Sequence, residues 1–376
     1  MAHRLPLTGS WNLQNPMPTC CLMSGSPRVA LVLAGGGLVG GAWMVGALHA
    51  IAEETGWDPG SADHVIGTSA GSMLAAMLTS AVPPWLLLAY GSGESLEGLR
   101  ALDEPKARRF GAHLRLHWSF PRPVLGSPGL ALRSLREPWK YGPAGIVAWL
   151  PQGVISTEPL KDVIKRVVPR GWSSHPGLWI TAIDYESGKR VVFGRAGSPP
   201  ASLADAVAAS CAVPGFYHPV TIAGRRYIDG GLYSPANLDL AGETDAELVV
   251  CLNPMSSRHR GGLLEPTGPL AGLVRGDNRR IIDRERNVLE RSGRRVLLLE
   301  PSAADLNVMG LNYMSRRRAD RVMRSAVATT TATLLGVEAA AVLRRLPSGA
   351  ADRVRRPSSS PATWPDELFP PERRTA

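Results

Sequence analysis

Val29-Ala-Leu-Val-Leu-Ala34, followed directly by Gly35-Gly-Gly-Leu-Val-Gly-Gly41, is the stretch that decides the fold. The first run is apolar throughout and rich in aliphatic residues, which is typical of a strand buried on both faces. Beyond the glycines, apolar residues recur at helical spacing, at Trp43, Val45, Leu48 and Ile51. A glycine turn between a strand and a helix leaves backbone N–H groups unpaired, so we expect this loop to bind negative charge.

A second motif, Gly67-Thr-Ser-Ala-Gly71, follows the apolar run His64-Val-Ile66 and precedes a helix of small residues predicted at 72–81. It fits the G-x-S-x-G nucleophile elbow, in which Ser69 lies at a strained turn with its hydroxyl exposed. Gly67 and Gly71 flank the serine, because larger side chains there would collide with the strand and the helix. Taken alone, the pattern fits equally well a turn whose serine caps a helix.

The glycine loop at residues 35–37 favours the catalytic interpretation of the serine turn. An acyl-transfer site needs a nucleophile and also a set of N–H donors that stabilise an anion. A nucleotide-binding loop is disfavoured, because the sequence lacks a Gly-Lys-Ser/Thr ending and no acidic residue closes the second strand.

Composition limits the classes of protein that the chain can belong to. With 376 residues, 44% of them hydrophobic, it can bury the core of one large domain or two small ones. The net charge of +10 comes almost entirely from arginine, since only five residues are lysine. This favours anionic partners such as phospholipid headgroups, nucleic acid or acidic substrates, although an arginine-rich genome would give the same composition. The four cysteines form no CxxC pair, which indicates neither zinc nor disulfides and fits a reducing compartment.

The chain is predicted to contain one catalytic domain at residues 27–346. Residues 1–26 lack the apolar region of a secretory signal and are predicted to be a disordered leader. Residues 347–376, rich in Pro, Ser and Arg, are predicted to be a disordered tail. The uncharged run at 29–52 is long enough to raise the question of a membrane span. Its six glycines and its strand–loop–helix spacing favour a buried βα unit instead.

Residues 91–142 form an irregular insertion rich in Pro, Gly, Arg and Trp. Between residues 103 and 140, eight basic residues stand against three acidic ones, with aromatic residues interleaved. This mixture suits a cap that touches a membrane interface and equally suits a lid packed on the domain. No recognisable nucleic-acid-binding module accompanies it, so nucleic acid is not an expected partner.

The remaining sequence alternates strands with helices. Helical patterns are expected at 146–168, 202–211 and 270–292, with one or two closing helices at 305–346. Strands are expected at 179–183, 190–193, 220–222, 225–228, 248–252 and 296–300. This order predicts an α/β fold with a mostly parallel central sheet covered by helices on both faces.

An elbow serine needs a base, and Asp229 is the best candidate. It follows a strand directly and is held by Gly230-Gly231, which would place its carboxylate at the carboxyl edge of the sheet. Taken alone, Asp-Gly is better interpreted as a hairpin turn. Among the histidines, only His259 follows Asp229, and it lies in an arginine-rich loop; His218 is interpreted as structural.

The three motifs together, in this order, resemble the patatin-like phospholipase family. The connecting sequences Ala209-Ser-Cys-Ala-Val-Pro-Gly-Phe216 and Ser234-Pro-Ala-Asn-Leu-Asp-Leu240 match as well, and the resemblance spans about residues 27–346. It implies a patatin-like fold and a serine lipid acyl hydrolase, of the phospholipase A or esterase type, that uses a Ser–Asp dyad without histidine. It further implies a lipid or ester substrate, and it requires neither a cofactor nor a metal.

Carried over by position, the resemblance makes Ser69 the nucleophile and Asp229 the base. It makes Gly67 and Gly71 the elbow glycines. The implied oxyanion hole consists of Gly35, Gly36, Gly37 and Leu38. The expected location is the cytoplasm, with an anionic membrane surface as a further partner; the sequence makes no prediction of the oligomeric state.

One departure from the family concerns Val39, which stands where the family usually carries Arg or Lys. Either the oxyanion is less well stabilised, or another arginine supplies the charge. Two alternative functions remain open. One is an acyltransferase acting on lipid acyl esters. The other is a catalytically weak lipid-binding protein on the same fold, which the retention of Ser69 and Asp229 disfavours.

Overall fold

The computed structural model describes residues 26–92, 126–136, 147–258, 268–310 and 312–347. Most of the predicted leader, tail and insertion lie outside these ranges, so those predictions are not tested. One eight-stranded sheet forms the centre of the domain. Its strands are β1 (Val29–Leu33), β2 (His64–Thr68), β3 (Leu178–Asp184), β4 (Arg190–Phe193), β5 (Val220–Ile222), β6 (Arg225–Asp229), β7 (Leu248–Leu252) and β8 (Arg295–Leu299).

The sheet is mostly parallel, as predicted. Strands β3, β2, β1, β7 and β8 are neighbours in that order, and all four of these pairings are parallel. The antiparallel pairings involve β4 and β6 on β3, and β5 on β6. The strands expected at 179–183, 190–193, 220–222 and 225–228 therefore form two hairpins, β3–β4 and β5–β6.

Helices cover both faces of the sheet. The described helices are α1 (Gly37–Thr55), α2 (Ala70–Leu78), α3 (Pro84–Gly91), α4 (Pro128–Arg136), α5 (Glu158–Val167), α6 (Leu203–Ser210), α7 (Gly268–Arg291), α8 (Ala303–Met309), α9 (Ala319–Leu334) and α10 (Val337–Leu343). Alternate residues of a strand point to opposite faces. Accordingly, Leu31 and Leu33 of β1 belong to a core shared with α1, α2, α6 and α9, whereas Ala30 and Val32 belong to a core shared with α7.

Three helix predictions need correction. The helix expected at 146–168 is shorter than predicted, because α5 begins only at Glu158. The small-residue helix expected at 72–81 is α2, which begins two residues earlier, at Ala70. Ser69 is therefore the residue immediately before the helix, as a nucleophile elbow requires. The region 305–346 contains three helices, α8 to α10, rather than one or two. Helix α8 ends just before Gly310, and helix α10 begins just after Gly336.

The pairing of the sheet brings two strand ends together. Strand β2 pairs with the first half of β3 and ends with Thr68 opposite Thr181. Strand β6 pairs with the second half of β3 and ends with Asp229 opposite Ala182. Because β4 occupies the other edge of β3 along both halves, β2 and β6 lie end to end on one edge. One is parallel and the other antiparallel to β3, so their carboxyl ends meet.

Residues 29–52 do not form one continuous helix. They form β1, the glycine loop and most of α1. Among the residues described, no helix combines the length and the apolar character needed to cross a bilayer.

Candidate active site

Ser69 lies in the sharp turn between β2 and α2. Its backbone has φ 52° and ψ −121°, and a positive φ in a residue other than glycine costs on the order of 1–3 kcal/mol. Two hydrogen bonds hold this turn: the Ser69 amide donates to Oγ of Ser210 at 2.8 Å, and Oγ of Ser72 donates to the Ser69 carbonyl at 2.6 Å. The strain is thus maintained by its surroundings, which is typical of a functional residue.

The two elbow glycines have no room for a side chain. A Cβ atom at Gly71 would lie 2.2 Å from the carbonyl oxygen of Leu33, and one at Gly67 would lie 2.6 Å from Cα of Ser72. Both neighbours are backbone atoms, which cannot rotate away. The tight approach of β1, β2 and α2 around Ser69 therefore requires glycine at both positions.

Asp229 is the last residue of β6 and is only 5% exposed. Its amide donates to the carbonyl of Ala212 at 3.0 Å, and its Oδ1 accepts a hydrogen bond from the Gly231 amide at 2.7 Å. The Ser69 side chain lies close enough to the Asp229 carboxyl group to lower the pKa of that group. The structure therefore brings together the two residues that the sequence analysis paired across 160 positions of the chain.

The environment of Asp229 changes its acidity. Burial raises the pKa of Asp229 from 3.8 to about 6, and the hydrogen bonds from Ser69 and Gly231 partly oppose this shift. A general base works best when its pKa lies near the working pH. A buried carboxylate of this kind is a stronger base than a solvated aspartate and is still ionised at neutral pH.

A buried polar cluster lies behind the two strand ends. Nδ2 of Asn237 donates to Oγ1 of Thr68 at 3.1 Å and to the carbonyl of Ser234 at 2.9 Å. Oγ1 of Thr68 is in turn 2.9 Å from Oγ1 of Thr181. These bonds tie the end of β2 to β3 and to the turn that follows Asp229. The cluster therefore fixes the relative position of the nucleophile and the base.

Sequence reasoning missed most of this cluster. Asn237 lies in a stretch that matches the family, but no role was predicted for it. Nothing in the sequence indicates a role in the site for Thr68 or Thr181, because threonine is common in strands. Ser210, which holds the elbow amide, was read only as part of a helix.

The start of α1 offers free backbone donors beside the elbow. Within the described ranges, no acceptor takes the amide hydrogens of Gly36, Gly37 or Leu38. These amides lie at the positive end of a 19-residue helix, which favours an anion. The Gly35 amide, in contrast, donates to the carbonyl of Pro235 at 2.8 Å. Gly35 belongs to the expected oxyanion loop, but its amide is not free to bind an anion because its hydrogen is already used.

Val39 is fully buried in the core between the sheet and its helices. Its amide donates to the carbonyl of Tyr313 at 2.9 Å, which packs the segment after α8 against the glycine loop. The same segment carries Arg316, which lines the pocket that contains Ser69. Among the lining residues described, Arg316 is the one charged side chain.

The pocket beside Ser69 has a volume of about 410 Å³, within the usual range for ligand sites. It is mainly apolar, with walls from α1, α2, α3 and α9. Its aliphatic and sulfur-containing side chains are Leu38, Val45, Met73, Leu74, Met77, Leu87, Leu160, Cys211, Val213, Met314 and Met323. Such a lining suits a hydrocarbon chain.

Cys211 is the other nucleophilic side chain beside Ser69. Its Sγ atom is 3.7 Å from Oγ of Ser72, and the thiol is buried. Burial raises the pKa of Cys211 to about 12, and the nearby charge of Asp229 adds to the shift. Because the thiolate is the reactive form, this cysteine does not compete with Ser69 at neutral pH.

No described histidine lines the pocket. Nδ1 of His218 lies 2.9 Å from the carbonyl oxygen of Pro219, an arrangement that agrees with the structural role expected for it. His259 lies outside the described residues. The described site therefore contains a carboxylate, and no imidazole, next to the serine.

The chain is similar to a family model and to solved structures. The family model described as "Patatin-like phospholipase" matches residues 31–241, which is more than half of the chain. None of the curated proteins compared with the chain matches it significantly. Among solved structures, the crystal structure of VipD from Legionella pneumophila is similar, with a TM-score of 0.38 and 14% sequence identity, over 82% of this chain and 67% of that chain.

Proposed function

Because the chain belongs to the patatin-like phospholipase family, which supports a lipid hydrolase activity in broad terms, we propose that it is a serine lipid acyl hydrolase with a Ser69–Asp229 dyad. One observation carries the proposal: the carboxyl ends of β2 and β6 meet on one edge of β3, which brings Ser69, the residue after β2, beside the buried Asp229 carboxylate. The apolar pocket beside Ser69 would receive the acyl chain.

The proposed reaction begins when Asp229 accepts the hydroxyl proton of Ser69. The serine oxygen attacks the ester carbonyl, and the amides of Gly36, Gly37 and Leu38 stabilise the tetrahedral oxyanion. When this intermediate collapses, the C–O bond to the alcohol breaks, and protonated Asp229 gives its proton to the leaving oxygen. Water, activated by Asp229, then hydrolyses the acyl-enzyme and releases the fatty acid.

Fatty-acid release from a monoacylglycerol and from a phospholipid by the purified chain tests this proposal. Hydrolysis that is absent from Ser69→Ala, while that variant keeps its fold, would support it. Transfer of the acyl group to added glycerol in place of water would identify an acyltransferase. Binding of lipid without any turnover would instead identify the catalytically weak alternative.

The pH dependence of hydrolysis follows from the acidity of Asp229. Only the ionised carboxylate can accept the serine proton, so kcat/KM should rise with pH and level off above about pH 6, where the raised pKa of Asp229 lies. The measurement is a pH profile of kcat/KM on a neutral ester between about pH 4 and pH 8.

Glu285 supplies the control for this profile. Burial and the charge of Asp239 raise the pKa of Glu285 to about 7, and its carboxylate accepts a hydrogen bond from the Leu238 amide at 3.0 Å. Glu285 is outside the pocket lining, so Glu285→Gln should leave the midpoint of the profile in place. A midpoint that moves with Glu285→Gln, or a flat profile, would contradict the assignment of Asp229.

We also propose that the protein binds anionic membranes through residues 103–140. Of this segment the structure describes only residues 126–136, which include α4. On α4, Leu132 and Leu135 are 56% and 64% exposed next to the basic residues Arg133 and Arg136. Each Lys or Arg near an anionic surface contributes about 1 kcal/mol of attraction, and salt screens it.

Vesicle sedimentation at two salt concentrations measures this binding. Liposomes that contain phosphatidylserine should bind the protein, and less so at high salt, whereas neutral liposomes should bind it weakly. Replacing Arg133 and Arg136 together with glutamine should reduce the binding. Equal binding to both kinds of liposome at every salt concentration would exclude an electrostatic membrane surface.

A further inference from the structure

The pocket beside Ser69 ends at a definite distance from the nucleophile, and a single methionine lies across that end. We infer that Met323 limits the length of the acyl chain that the enzyme accepts. The inference rests on the proposed function, and it adds the class of substrate: an ester of a medium-length acyl chain of about eight to ten carbons.

Two helices measure the depth of the pocket. On α2 the lining begins beside Ser69 and ends at Met77, eight positions further along the chain. On α1 the lining runs from Gly37 to Val45, which is also eight positions. At a rise of about 1.5 Å per residue, both spans are about 12 Å long. Helix α1 continues to residue 55, but none of its residues after Val45, all of them described, lines the pocket.

Met323 lies at this depth on a third wall, which is formed by α9. Helix α9 packs closely on α1, since a Cβ atom at Gly46 would lie 2.4 Å from the backbone oxygen of Met323. Gly46 directly follows Val45, so Met323 lies beside the point where the lining of α1 ends. Met323 is also the last residue of α9 among the lining residues described, although the helix continues to Leu334. Its side chain is only 2% exposed.

The Met323 side chain crosses the far end of the pocket from α9 to α3. A Cβ atom at Gly91, the last residue of α3, would lie 2.8 Å from Sδ and 2.9 Å from Cε of Met323. The tip of the methionine therefore rests against the end of α3. Met77 and Leu87, both buried, line the same end. An acyl chain that begins at Ser69 and follows α2 would meet the Met323 thioether at this depth.

The depth of the pocket sets the number of carbons that it can hold. An extended hydrocarbon advances about 1.25 Å per carbon, because its C–C bonds are about 1.52 Å long and meet at about 111°. A span of about 12 Å therefore corresponds to about ten carbons. The Met77 side chain leans back toward the N-terminus of α2 and shortens the available space. We therefore expect saturated chains of about eight to ten carbons to fill the pocket.

The test uses 4-methylumbelliferyl esters with saturated chains from butanoyl to tetradecanoyl, each below the concentration at which it aggregates. The quantity measured is kcat/KM for each ester. In the wild type it should rise about fourfold with each added methylene that becomes buried. The rise should stop near decanoyl, and longer chains should react no faster, because their last carbons would meet Met323.

Met323→Ala removes three heavy atoms from the far end of the pocket, so two or three further carbons should fit. The ratio of kcat/KM for the tetradecanoyl ester to kcat/KM for the octanoyl ester should therefore rise on the order of tenfold. Met323→Leu keeps the volume of the side chain and should keep the ratio close to that of the wild type.

Two further variants make the test specific. Gly91→Ala places a methyl group against the tip of Met323 and at the pocket end, so the rise should stop at a shorter chain than in the wild type. Met314→Ala is the control. Met314 lines the pocket near Ser69, since its Sδ would lie 3.2 Å from a Cβ atom at Gly37. Its loss should leave the chain length at which the rise stops unchanged.

Each outcome separates the inference from the function on which it rests. If the wild type hydrolyses the short esters but Met323→Ala has the same ratio, the inference is wrong and the proposed hydrolase stands. A wild-type rise that continues to tetradecanoyl, or an equal change in Met314→Ala, would overturn it as well. If Met323→Ala does not fold, Gly91→Ala decides, and a rise that stops at the wild-type chain length would contradict the inference. Failure of the wild type on every ester would overturn the function and the inference together.

Discussion

Ser69→Ala, Asp229→Asn and the double variant are expected to fall to the same low rate of ester hydrolysis, on the order of 10⁴-fold below wild type. The physical reason is that the serine oxygen cannot attack efficiently unless the carboxylate takes its proton, so the two residues act as one unit. Once one member is lost, removing the other costs little more. Initial rates of hydrolysis of a neutral ester by the three variants measure this effect.

The histidines provide the control for this experiment. His218→Ala should change turnover little, because His218 hydrogen bonds to backbone and does not line the pocket. His259→Ala is included because a serine hydrolase with a downstream histidine would depend on it. An active Asp229→Asn variant together with an inactive His259→Ala variant would replace the dyad with a conventional Ser–His arrangement.

Stability measurements separate lost chemistry from lost structure in Asp229→Asn. The folded-state pKa of Asp229, about 6, lies above its ordinary value of 3.8. Its ionisation therefore lowers the free energy of unfolding as the pH rises between these two values. Asparagine carries no charge, so the variant should be at least as stable as wild type at neutral pH. Inactivity with retained stability would then be an effect on catalysis.

The second large effect is expected from Val39→Arg. The resemblance to the family would suggest that a cation here improves oxyanion stabilisation and raises the rate. The structure reverses that expectation, because the Val39 side chain is completely buried. An unpaired buried charge costs about 3–5 kcal/mol, so the variant should unfold at a much lower urea concentration and lose activity with its fold.

Val39→Met is the matched control, since methionine has a similar reach without the charge. Overpacking by a longer apolar side chain costs about 1–3 kcal/mol, so Val39→Met should lie between wild type and Val39→Arg in urea unfolding. The difference between the two variants measures the charge alone. A Val39→Arg protein that is as stable as Val39→Met and faster than wild type would show that the glycine loop accepts a cation.

Much of the fold could be predicted from local sequence patterns. Continuous apolar runs such as residues 29–34 predict strands buried on both faces, and β1 is one. The elbow could be predicted as well, because its glycines are required by contacts with β1 and α2, which are close in sequence. These features depend on short stretches whose physical requirements are visible in the residues themselves.

The arrangement of the strand ends could not be predicted in this way. The meeting of β2 and β6 depends on which half of β3 each strand occupies, and a strand sequence does not reveal its partner. The same holds for the bonds among Thr68, Thr181 and Asn237, which are more than fifty residues apart. Local patterns carry no information about such distant polar partners.

The surroundings of Val39 and Gly35 also could not be predicted, because they depend on residues that are distant in the chain. Sequence position alone placed Gly35 in the oxyanion hole, but its amide donates to the carbonyl of Pro235, 200 residues later. Val39 raised the question of where a positive charge would come from. Arg316 reaches the pocket because the chain after α8 packs on the glycine loop, a contact that the sequence does not reveal.

The central claim, that Asp229 activates Ser69 as a nucleophile, is tested most directly by labelling with a fluorophosphonate followed by peptide mass spectrometry. Such a probe reacts with an activated serine and reports the modified residue without requiring knowledge of the natural substrate. We expect one adduct, on Ser69 in the wild type, lost in Ser69→Ala and formed far more slowly in Asp229→Asn. No adduct on folded wild-type protein, an adduct on Ser72 or Ser210 instead, or labelling of Asp229→Asn at the wild-type rate would contradict the claim.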